Sequence, residues 1–434
     1  MASRATRVWL AIALLFAGGC LAGGCRDARD EVAVVTFPGS AVGAEAEVLA
    51  AQLQSFMQAN PDIRVVQRVT PDAADQRHQL YVQWLNAWAP DPDILQLDVI
   101  WAPEFAAAGW LLPLDGRLGD DADFFPATME ANTWQGQLYA VPWFLDVGML
   151  YWRTDLLDAA PATLSELKAA AAEARASGQV SYGWVWQGAR YEGLVTVFLE
   201  LLASHGGSML DRNGDVAVDS PAGVRALTDL CDAVEQGLSP RESLTWHEEE
   251  TRFAFQMGRA LFMRNWPYAY ALMERGDDSR VAGRFDVAPM PAGEQGRSAA
   301  TLGGAQLAIN ARSDVPEEAW RLIEFLTHPD RMIERARAAG NLPPRPSLYE
   351  RDELRAALPM PAESIQRVVE HAVARPATPV YTQLSLILQL SLHRALSGQQ
   401  EPEAALSDAA RKMRRALARF GLPGSEPAAP ESAL

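Results

Sequence analysis

Short apolar stretches alternate with longer stretches of helical periodicity in the first part of the chain. Residues 32–37, 63–68 and 94–100 have the composition of strands, whereas residues 46–58 and 74–88 repeat apolar positions every three or four residues. Strands that alternate with helices of these lengths predict parallel βαβ units and therefore an α/β fold.

The later part of the chain is mainly helical, with a second cluster of predicted strands. Thr163 followed by Glu166 is a helix-capping pattern, and residues 350–418 are predicted to be helical throughout. Two strand clusters in so long a chain favour two lobes. We expect one lobe from residues 32–147 and 300–345 and the other from residues 148–299 and 346–420. Several crossings would join the lobes and leave a ligand cleft between them.

The stretch GQLYAVPWFLDVGMLYWRTDLL, residues 136–157, combines strand pattern with an unusual acid. Residues 138–143 and 148–152 are predicted strands, and Asp146 lies between them. Its sequence neighbours include four aromatic residues, Trp143, Phe144, Tyr151 and Trp152. An aromatic face can stack on a sugar ring while a carboxylate accepts its hydroxyl hydrogen bonds. We therefore interpret Asp146 as a hydroxyl acceptor beside stacking platforms.

The two ends of the chain are predicted to lie outside the fold. Residues 1–24 have a cationic start and a short apolar run, which is typical of a secretory signal. The small residues before Cys25 resemble a bacterial lipobox, so acylation of Cys25 would anchor the mature chain through a tether of residues 25–31. Cys20 is an alternative site, and an unmodified secreted protein is the other interpretation. Residues 421–434 are predicted to be disordered.

Charge and motifs exclude several function classes. The formal charge of −17 argues against nucleic-acid binding. The sequence contains no nucleotide-binding glycine loop, no nucleophile elbow and no zinc-protease motif, and we expect neither cofactor nor metal. Cys231 lies in a helical pattern, where we expect a buried bystander. Several tryptophans instead stand beside polar groups at strand ends, whereas Trp84, Trp88 and Trp320 are expected to pack in the core.

An ordered series of motifs resembles family 1 extracellular solute-binding proteins, in the trehalose- and maltose-binding branch that serves ABC importers. The motifs include LDVIWAPEFAAAGWLLPLD, GQLYAVPWFLDVGMLYWRTDLL, FAFQMGRALFMRNWPYAY, TLGGAQLAI and GNLPPRPSLY. The resemblance implies a two-lobed periplasmic-binding-protein-like fold of type II that closes on a sugar. It also implies ligand-binding roles for Glu45, Asp98, Trp101, Asp146, Glu250 (with Glu249 as a near alternative), Trp266, Tyr268, Gly303, Gly304 and Arg345.

The sequence therefore predicts a non-catalytic lipoprotein that captures an α-glucosidic disaccharide and delivers it to an ABC permease. We expect an exported monomer, periplasmic or on the cell surface, that meets the membrane through its lipid anchor only. Two alternatives stay open at this point. One is an exported carbohydrate-active enzyme that uses two cleft carboxylates, and the other is the same fold with a polyamine or another polar solute.

The lipid anchor can be tested directly. Mass analysis of the mature N-terminus should show an acylated Cys25, because a short apolar run ending in small residues precedes it. Acylation at Cys20 would correct the site alone. A soluble product without a lipid that begins elsewhere would contradict the prediction of an anchor.

Overall fold

The computed structural model of the protein describes residues 32–39, 44–71, 74–119, 122–293 and 296–422. The predicted signal, the tether and Cys25 lie outside these residues, as does the chain from residue 423. The strands are β1 Ala33–Gly39, β2 Ile63–Val69, β3 Ile94–Asp98, β4 Thr133–Trp134, β5 Gln137–Leu138, β6 Val141–Val147, β7 Met149–Arg153, β8 Tyr182–Val185, β9 Ala260–Asn265, β10 Phe285–Ala288, β11 Ala300–Ile309 and β12 Ala372–Val373.

Helices fill most of the remaining chain. They are α1 Ala44–Ala59, α2 Ala74–Asn86, α3 Ala102–Ala107, α4 Pro126–Ala131, α5 Leu164–Ala176, α6 Glu192–Ser204, α7 Pro221–Glu235, α8 Glu248–Gln256, α9 Tyr268–Arg275, α10 Pro316–Leu326, α11 Pro329–Ala339, α12 Asp352–Ala357, α13 Ala362–Val369, α14 Tyr381–Leu396 and α15 Pro402–Arg419. Arg241–Thr245 and Pro346–Glu350 are 3₁₀ turns. Thr163 caps α5 in the predicted capping box with Glu166.

The first strands form the predicted parallel unit, but the third strand finds a different partner. β1 and β2 pair in parallel, with α1 between them along the chain. β3 lies beside β1, where Thr36 Oγ1 donates to Asp93 Oδ2 at 2.7 Å. The hydrogen-bonded ladder of β3 is antiparallel and pairs β3 with β11, a strand that occurs much later in the sequence. Strand existence was therefore predictable, whereas this long-range pairing was not.

β11 is the central strand of one sheet, and a second sheet follows across a short junction. β11 pairs antiparallel with β3 and β6, and its first residues pair in parallel with β12. The second sheet has the order β10-β7-β9-β8. Since β6 belongs to the first sheet and β7 to the second, the chain passes between the sheets at the single residue Gly148.

The strand that carries Asp146 is longer than the sequence predicts. The expected strand over residues 138–143 is replaced by β6, which begins at Val141 and continues through Asp146. In the ladder between β6 and β11, Asp146 lies opposite Gly303. Asp146 is therefore a strand residue and not a loop residue.

The packing of the helices shows where the core lies. It also differs from the sequence prediction in the segment that begins at residue 350. α6 is apolar and buried on nearly all sides, and it packs against α7 and α14. The segment expected to be helical from residue 350 is interrupted by β12 and the loop after it. α12 packs against α11, whereas α13 contacts β10. The division of the chain into lobes at residues 147, 299 and 345 stays a prediction.

Tryptophan and cysteine positions test the simplest core assignments. Trp320 and Cys231 are buried as expected. Trp88 does not join the core, because it follows α2 with φ of 53° and is 52% exposed, with the Arg312 guanidinium over its ring. Helical spacing alone therefore misplaced this residue, which lies beyond the last turn of the helix.

Candidate ligand-binding site

A cleft of about 600 Å³ lies at the junction of the two sheets. Residues from the ends of β3 and β6 and from the middle of β11 line it, together with residues from the starts of α6 and α8 and Trp266, which directly follows β9. From the predicted set, the structure brings together Glu45, Asp98, Asp146, Glu250, Trp266, Tyr268, Gly303 and Gly304. Sequence positions more than two hundred residues apart thus meet in one cavity.

The floor of the cleft is a close approach of Asp146, Gly303 and the Trp266 ring. A β-carbon at Gly303 would lie 3.4 Å from the β-carbon of Asp146 and 3.4 Å from the Trp266 ring. Both distances are van der Waals contacts, so position 303 lies between the Asp146 side chain and the indole ring. Gly304 has φ of 115°, and a β-carbon there would collide with the Phe144 carbonyl oxygen at 2.1 Å. The geometry of the β6–β11 pair therefore requires a glycine at position 304.

Asp146 has a strongly perturbed ionisation. Although the residue keeps some contact with solvent, burial raises the pKa of its carboxyl group to about 8. The nearby charges of Glu45 and Asp98 raise the pKa as well, while Arg264 and Arg335 oppose them. Below about pH 8 this group is largely protonated, and a ligand that brings hydrogen-bond donors would favour its ionised form.

Glu45 is held in place by a chain of polar contacts. Asn341 Nδ2 donates to Glu45 Oε1 at 2.8 Å, and Arg335 Nη2 donates to Asn341 Oδ1 at 3.1 Å. Burial lowers the pKa of Arg335 to about 10, although Glu45 and Asp146 counteract this effect. The guanidinium lies 4.0 Å from the centre of the buried Trp143 ring. Trp143 therefore supports the site from behind and does not face the cleft.

Asp98 is joined to the opposite side of the cleft by Arg375. The Arg375 guanidinium donates through Nη2 to Asp98 Oδ1 at 2.9 Å and through Nη1 to Glu192 Oε1 at 2.7 Å. Glu192 begins α6 and also accepts hydrogen bonds from Tyr381 and Ser385. Burial raises the pKa of Glu192, although Arg375 and both hydroxyl groups oppose the rise. These contacts orient Asp98 at the end of β3.

Three consecutive acids at the start of α8 have different partners. Glu248 Oε1 accepts from Trp266 Nε1 at 3.3 Å, and Glu249 Oε1 accepts from the Tyr268 hydroxyl at 2.7 Å. Glu250 turns back to accept from the backbone N–H of His247 at 3.0 Å, which caps the helix. All three line the cleft, but Glu248 and Glu249 orient its aromatic side chains, whereas Glu250 serves the helix start.

Two predicted residues lie outside the cleft. Trp101 is 2% exposed and packs with Phe105 and His78 under α3. Arg345 has its guanidinium 4.1 Å from the Phe124 ring centre, and its Nη2 donates to the Thr327 carbonyl oxygen. Neither side chain lines the cleft in this structure, so a ligand-binding role for either residue stays a prediction.

The aromatic side chains near Asp146 in the structure differ from the set that the sequence predicts. Tyr151 is buried, and its hydroxyl group donates to the Trp266 carbonyl oxygen at 2.6 Å. Trp152 packs at the edge of the core. Because residues alternate along β6, Phe144 shares the cleft-facing side with Asp146, while Trp143 points to the other side. The aromatic side chains that line the cleft are Phe144, Tyr191, Trp266 and Tyr268.

Sequence reasoning missed Glu192 and Arg375. The sequence analysis gives Glu192 no role, and it places Arg375 in a segment expected to be helical. Each carries a signal that points to a buried polar role: Glu192 opens an otherwise apolar helix, and Arg375 precedes Pro376, which breaks helical periodicity. The pairing of these two residues across the fold carries no local signal.

A family model for bacterial extracellular solute-binding proteins matches residues 51–362. The chain belongs to this family. A probable ABC transporter-binding protein from Deinococcus radiodurans is 38% identical to this solute-binding protein over 361 residues, which cover 79% of this chain and 84% of the relative. The family resemblance predicted from the ordered motifs is thereby confirmed.

Solved structures show the same architecture. Maltose-bound MalE3 of T. maritima is 42% identical, with a TM-score of 0.83 over 88% of this chain and 99% of that chain. The GacH receptor of Streptomyces glaucescens, determined unliganded and with acarbose, is 27% identical, with a TM-score of 0.80 over 89% and 98%. The predicted two-lobed α/β fold of this solute-binding protein is confirmed by these matches.

The described part of this solute-binding protein contains neither a membrane-spanning helix nor a cluster of metal-binding side chains. In that part, no helix has the length and apolar character needed to cross a bilayer. Nor do three His, Cys, Asp or Glu side chains meet there in a group that could hold a metal ion.

The raised pKa of Asp146 predicts a pH-dependent effect of Asp146→Asn. The carboxyl group of Asp146 binds its proton more tightly in the folded than in the unfolded state. The free energy of unfolding of the protein therefore falls as the pH rises from about 4 to about 8. Asparagine removes this loss. The ligand-free variant should exceed the wild type in free energy of unfolding by at least about 1 kcal/mol at about pH 8, and the gain should vanish near pH 4.

Denaturant melts of both proteins at the two pH values provide the measurement. Asp155→Asn is a matched control of opposite sign, because the hydrogen bond from Arg153 holds the pKa of Asp155 below its usual value. That variant should lose stability at about pH 8. A variant Asp146→Asn that is no more stable than the wild type at about pH 8 would contradict the raised pKa.

Proposed function

We propose that this protein is the substrate-binding lipoprotein of an ABC importer, and that it captures an α-glucosidic disaccharide such as trehalose or maltose for delivery to the membrane permease. The observation that carries the proposal is the contact of the Trp266 ring with Gly303 beside Asp146. It places an aromatic face, a bare backbone segment and a hydrogen-bond acceptor within one cleft of about 600 Å³, a volume typical of small-ligand sites.

The polar groups of the cleft suit a ligand rich in hydroxyl groups. Asp98 is already paired with Arg375, and Glu249 with Arg252, so their charges are partly neutralised. Asp146 and Glu45 keep acceptor capacity close to the aromatic floor. Carboxylates placed beside an indole ring can accept hydroxyl hydrogen bonds while the ring stacks on the C–H face of a sugar. A maltose ligand in MalE3 at 42% identity supports the choice of an α-glucosidic disaccharide.

A binding function is favoured over catalysis, because the relatives are solute-binding proteins and not enzymes. Binding would act by a population shift, since the closed arrangement of two lobes contacts a ligand from both sides. The extracellular family places the protein outside the cytoplasm. Its attachment by an acyl group on Cys25 remains part of this proposal.

A cationic solute is the second candidate, and a specific observation favours it. Seven of the described residues that line the cleft are acidic, namely Glu45, Asp98, Asp146, Glu192, Glu248, Glu249 and Glu250. Such a lining would attract a polyamine. The ligand experiment must therefore include cations as well as sugars.

A thermal-shift screen of the exported domain should identify the ligand class. A ligand that binds only the folded protein stabilises it by about 2.7 kcal/mol at one hundred times its Kd, which corresponds to a shift of a few degrees for a protein of this size. Maltose or trehalose should give this shift. Mannitol, which lacks a ring face, and glucose are comparison ligands.

A shift with putrescine or spermidine, and with no sugar, would overturn the disaccharide proposal in favour of a polyamine. Hydrolysis of the best-binding disaccharide during incubation would instead establish an enzyme.

Substitutions in the cleft should weaken ligand binding without unfolding the protein. At a pH above about 8, where Asp146 is ionised, Asp146→Ala should cost about 1.5–3 kcal/mol of binding free energy through the lost charged hydrogen bond. Trp266→Ala should cost a comparable amount through lost stacking. Calorimetric titration measures both effects.

Trp320→Ala is the matched control, because Trp320 is a buried tryptophan of α10 outside the cleft. It should lower the free energy of unfolding by about 3–5 kcal/mol and leave the Kd of the folded protein nearly unchanged. If Asp146→Ala bound the ligand normally but unfolded early, Asp146 would be a structural group and not a ligand acceptor.

A further inference from the structure

A buried ion pair lies directly beneath the aromatic floor of the cleft. Glu200 of α6 and Arg264 of β9 both have fully buried side chains, and Arg264 Nε donates to Glu200 Oε2 at 2.9 Å. Gln187 completes the arrangement, because its Oε1 accepts from Arg264 Nη1 at 3.1 Å and its Nε2 donates to the Arg264 carbonyl oxygen. The guanidinium is therefore fixed from several directions.

The same guanidinium supports the Trp266 ring. Arg264 Cζ lies 3.9 Å from the centre of that ring, which is a close cation–π distance. Trp266 follows Arg264 by two residues, and its Nε1 donates to Glu248 on the far edge. The ring is thus held by a cation against one face and by a carboxylate at its rim, and Gly303 lies against it.

Glu200 connects this support to the junction between the two sheets. Its Oε1 accepts from the backbone N–H of Thr301 at 3.2 Å, where the chain enters β11. At the other crossing, a β-carbon on Gly148 would lie 1.9 Å from Glu200 Oε1 and 2.6 Å from Arg264 Nη2. The Gly148 N–H donates to the Thr301 carbonyl oxygen, so both crossings contact the ion pair.

Stability alone does not explain why these charges are present. Desolvation of a buried pair often cancels its attraction, and hydrophobic replacements of similar volume can be neutral or stabilising. Both charges also interrupt apolar elements, since α6 reads EGLVTVFLELLAS and β9 reads ALFMRN. A role in positioning accounts for a costly pair at this place.

We propose that Arg264 is a positioning residue that holds the Trp266 platform in its ligand-binding orientation and, through Glu200, couples that orientation to the two crossings between the sheets. This inference rests on the proposed function, because it assumes that Trp266 stacks on the ligand. It assigns to Arg264 a role through Trp266, with no contact of its own to the ligand.

A double-mutant cycle with Arg264→Met and Trp266→Ala tests the coupling. Arg264→Met should raise the Kd for the best disaccharide about tenfold in the presence of Trp266. In the Trp266→Ala background the same substitution should change the Kd by less than about twofold, because the platform is already gone. Additive effects of the two substitutions would overturn the proposal, since a general structural role would act in both backgrounds.

Two further variants guard against misfolding. Arg153→Met removes another buried, ion-paired arginine, which pairs with Asp155 and does not line the cleft; it should leave the Kd unchanged. If Arg264→Met alone does not fold, the cycle is run in the Glu200→Gln background, where no uncompensated carboxylate is left behind. The same non-additivity is expected there, and additivity there overturns the proposal as well.

A measurement without ligand separates this inference from the proposed function. The near-ultraviolet circular dichroism of Trp266, taken as the difference between wild type and Trp266→Ala, should be strongly reduced by Arg264→Met and not by Arg153→Met. If no sugar binds the wild type but this signal is lost, the proposed function fails and the positioning role stands. If sugar binds and the signal is unchanged, the positioning role fails alone.

Discussion

The antiparallel pairing of β6 with β11 is the constraint on which the site depends. It carries Asp146 to the end of one sheet and places it opposite Gly303, so that a carboxylate can lie in a strand with an indole ring against the neighbouring backbone. One residue later the chain leaves the sheet at Gly148, where an added β-carbon would meet a buried ion pair. The cleft floor and the junction between the sheets therefore lie within a few residues of each other on the same strand.

The cleft floor brings several carboxyl groups close together, which is electrostatically unfavourable. Three carboxylates, Glu45, Asp98 and Asp146, lie near one another, and burial together with the neighbouring charges raises the pKa of Asp146 to about 8. The fold tolerates this because Arg335 and Arg375 supply positive charge from behind. A protein selected for stability alone would replace such an acid, which supports the proposed role of Asp146 in ligand binding.

The sequence predicted which residue types line the cleft better than it predicted the orientation of each side chain. Asp146 and Trp266 stand in motifs whose order along the chain survives in space, so both were predictable. Trp101 and Arg345 stand in equally good motifs but face the core or another ring, because the direction of a side chain depends on how short elements such as α3 turn. Arg375 was missed for a different reason. Its meaning comes from Asp98 and Glu192, which lie far away in sequence and become neighbours only after both sheets have formed.

The strand alternation, the predicted parallel unit and the two-lobed class followed from local pattern, because each depends on spacing within a few tens of residues. The central position of β11 did not, since antiparallel partners from distant segments leave no periodic trace. This difference has a mechanical consequence. Arg375 joins the end of β3 to the start of α6, and the pair of Glu200 with Arg264 lies under both crossings. Any rotation of one sheet relative to the other that keeps these bonds must pivot close to them, so the floor stays assembled while the rims of the cleft approach or separate.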